Sequence, residues 1–225
     1  MRRLSTWLVG FALAVFVIGL TVVPLTIPAY TRLLASRTSL AQEAGLPRPE
    51  MLRIAEQVRA FVVDDEGRML PAVVDGRAGF EDAAVSHLID VRRVLNGARI
   101  ATGVLAAALA IGLAYEVARK RTDRVAMVFY AGAVWCVALV VLSVIAAFAN
   151  FDAFFSAFHG LFFKSGTWSF PSDSLLIQTF PETFWATAGA TWGALILLCA
   201  AGFAAIARAL DSGHRAKADA PSGRD

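Results

Sequence analysis

The chain has 225 residues, 57% of them hydrophobic, with a mean hydropathy of +0.61 and a formal net charge of +3. This composition excludes an ordinary soluble domain and indicates an integral membrane protein. No nucleic-acid-binding module is visible, so the small basic excess is assigned to anchoring at the membrane rim and no nucleic-acid partner is expected.

A membrane-spanning helix needs about 20 mostly apolar residues. Leu4 to Thr31, Ile100 to Tyr115, Val125 to Phe151 and Thr183 to Ala207 carry no charge. They predict four spans, divided as 1–31, 100–117, 125–149 and 183–207. The second is the shortest, and Arg99 and Glu116 at its ends are able to snorkel to the interfaces. The first run is too long for a signal peptide, and Pro24 and Pro28 fall where a small-residue cleavage site would stand, so it is read as a retained anchor.

Basic residues in short loops set the orientation. Arg2 and Arg3 precede span one. Arg119, Lys120, Arg121 and Arg124 join spans two and three, and Arg208, Arg215, Lys217 and Arg224 follow span four in the tail 208–225. Segment 32–99 has ten Arg against ten acidic residues, and segment 150–182 one Lys against three acids. Both termini are therefore expected inside and both of these segments outside. Cys136 and Cys199 fall within spans and suit packing, not an external disulfide framework. Gly189 and Gly193 form a small-xxx-small pair that favours close helix packing, within the bundle or between copies.

Segment 32–99 predicts a small mixed cap, marginal as an independent domain. Met51, Leu52, Ile54, Ala55, Val58, Phe61 and Val62 recur at helical spacing after Pro47 and Pro49. Asp64-Asp65-Glu66-Gly67 predicts a turn. Met69 to Val74 predicts a short strand confined to an edge by Pro71, and Asp75-Gly76 a second turn. A further helix is expected from near Phe80, with Glu81 and Asp82 at its positive end. Ala84, Leu88, Val91 and Leu95 make its apolar stripe, which His87 borders; Asp90 lies three residues on, on the same side. Asn96-Gly97 predicts a stop. That break would let the helix lie along the membrane surface and keep His87 near the lipid headgroups.

Segment 150–182 opens with NFDAFFSAFHGLFF. Phe151, Phe154, Phe155, Phe158 and Phe162 form an aromatic face at helical spacing, as suits an interfacial helix. His159 is embedded in it. Gly160 and Lys164-Ser165-Gly166 loosen the chain, Trp168 is an interfacial anchor, Pro171-Ser172-Asp173 predicts a turn, and Leu175-Leu176-Ile177 is expected to dip towards lipid.

The chain has three histidines. His214 falls in the polar tail, whereas His87 and His159 are both external and both near the interface, so they are expected to meet at one site. Histidine exchanges protons near neutral pH. Asp90 is the candidate that orients His87, with pairing to Arg93 as its alternative. Phe155, Phe158, Phe162, Trp168 and Arg92 are the candidate substrate-binding residues. His87, His159 and Asp90 would make only a minimal zinc site, and no HExxH spacing supports one. Ser86 and Ser156 lack the context of an activated nucleophile.

The pieces SHLIDVRRVLNGAR (Ser86 to Arg99) and NFDAFFSAFHGLFFKSGTWSFPSDSLLIQTFPETFW (Asn150 to Trp185), set in a four-span frame, resemble the bacterial lipoprotein intramolecular transacylases. The resemblance covers essentially the whole chain, loosely over 32–79. It implies a diacylglyceryl-modified lipoprotein as substrate and transfer of the sn-2 acyl chain to the α-amino group of its N-terminal cysteine, with His87 and His159 matching the catalytic histidines. It implies no ATP or redox cofactor. The expected architecture is thus an all-α membrane protein of four transmembrane helices, with a small mixed extracellular cap and an interfacial aromatic helix, in contact with membrane lipid. A transporter, a partner-binding membrane protein and a membrane lipid hydrolase are the rival functions.

Overall fold

The structure is a computed structural model that describes residues 2–41, 43–64, 70, 73–74, 76–164 and 166–218. Of the sequence readings, residues 65–67, Met69, Pro71, Asp75, Ser165, Arg224 and the His214 side chain lie outside this description. Two compact units divide the chain: residues 1–21, 100–145 and 193–225 form one, and residues 22–99 and 146–192 the other.

The first unit is a helical bundle. It is built from α1 (Arg2–Leu20), the C-terminal half of α4 (Asp82–Ala118), most of α5 (Thr122–Ala149) and most of α8 (Glu182–Ala218). The four helices are long and apolar enough to cross a membrane. Leu13, Leu109 and Val128 form the buried centre, with Phe16, Leu105, Leu113, Phe129 and Phe203 around them. Small residues bring helices close, as expected where dispersion drives packing. A Cβ on Gly10 would stand 2.5 Å from the Ala131 Cβ, and one on Gly132 would stand 2.9 Å from a Leu13 methyl. Gly193 faces Val140 at ordinary contact distance. Cys136 is buried and Cys199 partly so, both as free thiols. Between α4 and α5, Glu116 pairs with Arg121 at 3.3 Å and Arg124 at 3.2 Å, which offsets part of that loop's basic charge.

The second unit is the cap. After α1 ends, Pro24 lies in a 3₁₀ turn (Val23–Thr26), and Pro28 opens α2 (Pro28–Thr38). Proline suits both places because a first-turn N–H has no helical partner. The helix expected after Pro47 is α3 (Arg48–Val63). A two-residue ladder follows, β1 (Val73–Val74) against β2 (Arg77–Ala78), closed through Gly76 at φ +77°.

Met51, Ile54, Ala55, Val58 and Phe61 of α3 pack with Leu34 and Ala35 of α2 and with Ala84 and Leu88 of α4. Thr179 is fully buried, its hydroxyl donating to the Leu175 carbonyl at 2.7 Å and lying 3.2 Å from the Met51 sulfur. Arg59, largely buried, bridges Glu56 and Asp64. Two sequence expectations are corrected here. Leu175-Leu176 does not dip towards lipid: both residues lie on α7 (Leu175–Thr179), buried in the cap core beside Phe180 and Phe184. The short α3–α2 layer lacks enough apolar partners of its own, and α7 supplies them. Nor does Asn96-Gly97 stop the helix, since α4 runs unbroken through both. A mid-helix glycine costs only about 1 kcal/mol relative to alanine. Arg99, which donates to Asn96 and to the Val63 carbonyl at the end of α3, braces that stretch.

Candidate active site

His87 sits one turn after Ala84 and next to Leu88, on the face of α4 that the cap core covers. That register buries it: the residue is 8% exposed. His159 comes from α6 (Phe151–Gly160). Asn150 starts this helix, its side chain accepting from the Ala153 N–H at 2.9 Å. At the far end the His159 carbonyl accepts from the Phe162 and Phe163 N–H groups, which turns the chain back on itself. Gly166, at φ +82°, then reverses it again, a conformation that costs glycine little.

In the folded chain the two histidines lie side by side. Their ring centroids lie 6.3 Å apart with 30° between planes. Aromatic rings wall the pair. Phe155 lies 3.9 Å and Trp168 5.0 Å from His159. Phe163 lies 4.9 Å and Phe170 5.7 Å from His87. Phe163 also touches His159, at 5.7 Å.

The two imidazoles are held differently. His159 Nδ1–H donates to the Phe155 carbonyl one turn back, at 2.8 Å. A carbonyl only accepts, so the proton is on Nδ1, and in the neutral ring the Nε2 lone pair is free. His87 Nδ1 is buried and has no hydrogen-bond partner among the described residues. Burial pushes the His87 pKa down, the nearby His159 pushes it further, and the Asp90 carboxylate partly opposes both. Burial also lowers His159, against the hydrogen bond to Phe155. Two groups that each disfavour charge, and disfavour it more when the other is charged, resist being cationic together.

The remaining sequence candidates divide. Phe155 and Trp168 both lie against His159. Phe158 meets His159 edge-on at 5.6 Å and also packs on Phe162, at 5.4 Å. Phe162 is exposed and contacts Phe158 and Phe163. Asp90 pairs with Arg93 at 2.8 Å and makes no hydrogen bond to His87, so it acts on that ring through its charge and not by fixing a tautomer. The Arg92 guanidinium lies over the Phe61 ring, 4.8 Å from its centroid. Among the described residues no group of three or more His, Cys, Asp or Glu side chains is arranged to hold a metal ion. Phe163 and Phe170, which flank His87, are absent from the sequence candidates. Phe163 carried a usable signal, being four residues after His159; Phe170 reaches the site only through the reversal at Gly166.

These features define a class: a membrane-integral, almost wholly helical protein with a small cap and a pair of neighbouring histidines set among aromatic rings. The family model for the lipoprotein intramolecular transacylase Lit matches residues 5–185, and the chain belongs to that family. Its fold is that of the membrane-integral Lit of Bacillus cereus: TM-score 0.79 at 19% identity, covering 96% of this chain and 98% of that one. Two variants of the Bacillus cereus protein, with a histidine changed to arginine or to alanine, match at TM-scores of 0.74 and 0.69. They cover 96% of this chain and 95% and 96% of theirs, at 19% and 18% identity. An uncharacterized protein of Aquifex aeolicus (strain VF5) is 26% identical over 144 residues, which span 63% of this chain and 63% of that relative.

Proposed function

We propose that this protein transfers the sn-2 acyl chain of a diacylglyceryl lipoprotein to the α-amino group of the lipoprotein's N-terminal cysteine, leaving a lyso-form product. The observation that carries the reading is the opposed pair, His87 and His159, with one tautomer fixed and the other free. Family membership supplies the reaction class. The basic residues at 119–124 and after span four favour inward termini, which puts the histidines on the outer face, where a processed lipoprotein presents its amine. No ATP or redox cofactor is required.

The chemistry needs one proton acceptor and one donor. The amine nitrogen attacks the ester carbonyl carbon, and His159 Nε2 takes a proton from it. The carbon–oxygen bond to the glyceryl group then breaks, and that oxygen leaves with a proton from His87. The Asp90 carboxylate favours the charged form of His87, against burial and the neighbouring His159. The pair begins with its ionising proton on His87 and ends with it on His159; return of that proton to His87 before the next turnover restores the starting state, so the net reaction consumes no acid or base. Amine and ester belong to one molecule, so positioning replaces an encounter and raises their effective concentration. Phe155, Phe158 and Phe162 offer the apolar surface that acyl chains need.

Mass spectrometry of a reporter lipoprotein's N-terminal lipopeptide, from a host without other N-acylation, tests this. One acyl chain moved to the amine at unchanged total mass is the expected result. A free amine with both glyceryl esters intact overturns it, and release of free fatty acid assigns a lipid hydrolase instead.

A further inference from the structure

Among the described residues, the Trp168 N–H has no acceptor. The indole Nε1 is buried, although the ring as a whole is half-buried. An indole N–H is a donor only, and a buried one ordinarily finds an acceptor. Left without one, it forfeits its hydration with no return, which an incoming carbonyl oxygen would recover. The surroundings explain the missing partner: the indole lies over His159 at 5.0 Å and 34°, and meets Phe155 edge-on at 6.0 Å. The loop that delivers Trp168 is built, not slack: the Thr167 N–H and hydroxyl both bond the Lys164 carbonyl, and Gly166 makes the reversal.

We propose that the Trp168 indole N–H donates to the oxygen of the acyl group in transit and holds the negative charge that develops on it; this rests on the acyl-transfer reading above. As the amine nitrogen bonds to the carbonyl carbon, the π pair moves onto that oxygen, and Trp168 stabilises it without giving up its proton. When the bond to the glyceryl oxygen breaks, the pair returns and the new amide carbonyl is released. The histidines move protons, while Trp168 supplies a fixed dipole where charge appears, the kind of preorganised donor that contributes most in a water-poor site.

The test compares wild type, Trp168→Phe and a chain carrying 3-benzothienylalanine at position 168, which keeps the indole's shape and replaces the N–H by sulfur. Each full-length protein in detergent is given a synthetic diacylglyceryl-cysteinyl peptide. Both variants are expected to lose about 10²–10³-fold in kcat, the range for one preorganised donor, with KM little changed and the acid limb of the pH profile unmoved. Wild-type kcat in the benzothienyl protein overturns the proposal, even if Trp168→Phe misfolds. A loss accompanied by a shifted acid limb also overturns it and assigns Trp168 to positioning His159. Equal turnover by wild type and variant removes this proposal alone, whereas a wild type making no lyso-form product removes the transfer reading with it.

Discussion

The imidazoles of His87 and His159 stand 6.3 Å apart between centroids, yet one has its Nδ1 proton pinned by a backbone carbonyl and the other has its Nδ1 buried without a partner. That asymmetry is what the proposed mechanism uses to divide proton transfer between two side chains of the same chemistry. A ring with a fixed tautomer presents one lone pair in one place. A ring without such a partner is free to change its proton with its neighbour's charge.

Replacing either histidine by alanine is expected to lower kcat for lyso-form production by about 10²–10⁴-fold, the usual contribution of a general acid or base. The double variant should be little worse than the poorer single one, because residues that act as a unit are not additive. Intact-lipopeptide mass spectrometry over time reads this directly. Full activity in both single variants would end the proposed mechanism.

The titration of the pair has a definite sign. Burial lowers both rings, so nitrogen-15 NMR of histidine-labelled protein should show both midpoints below about 6.5, the ordinary histidine value. Asp90→Asn removes the one influence that raises His87 and should move that midpoint further down while leaving His159 in place. At neutral pH it thereby thins the singly protonated pair and lowers the rate, with expression retained. Unchanged kinetics and titration would assign Asp90 to its surface pair with Arg93 alone.

Much of this was legible in the chain itself. The four apolar runs, the helix after Pro47 and the helical stripe that flanks His87 are local patterns, and local patterns survive into the fold. What depended on distant partners was not. Leu175-Leu176-Ile177 is equally at home in lipid or in a protein core, and only the presence of Met51 and Thr179 decides for the core. Asn96-Gly97 reads as a stop until Arg99 is seen reaching the end of α3. Phe170 lies eleven positions from His159 with no helix joining them, and it reaches the site through a turn whose geometry is invisible in composition.

The same burial predicts how stability responds to acid. His87 has a folded-state pKa below its unfolded one, so between the two values the unfolded chain binds more protons, and stability falls as pH drops through about 6.5 towards the folded value. Below the folded value the loss is complete and constant. His87→Phe keeps an aromatic ring beside Phe163 and Phe170 and removes the titration. Its melting temperature in detergent should therefore fall less than the wild type's between pH 7 and pH 5. Parallel curves for the two proteins would show that His87 is not the group responsible.

In the helical bundle, Gly10 allows α1 to approach α5 more closely than any side chain permits. A Cβ there would stand 2.5 Å from the Ala131 Cβ and 2.9 Å from the Gly132 backbone nitrogen. The nitrogen belongs to a helix and cannot rotate away, so Gly10→Ala must push the helices apart. Overpacking of this kind costs about 1–3 kcal/mol, to be read as a lowered unfolding midpoint in detergent. Gly112 on α4 is the matched control, since a Cβ there meets nothing within 4 Å. Gly112→Ala gains helix propensity at no steric cost and should leave the midpoint unchanged or slightly raised. Equal behaviour of the two variants would mean that α1 and α5 do not meet at Gly10 in the folded protein.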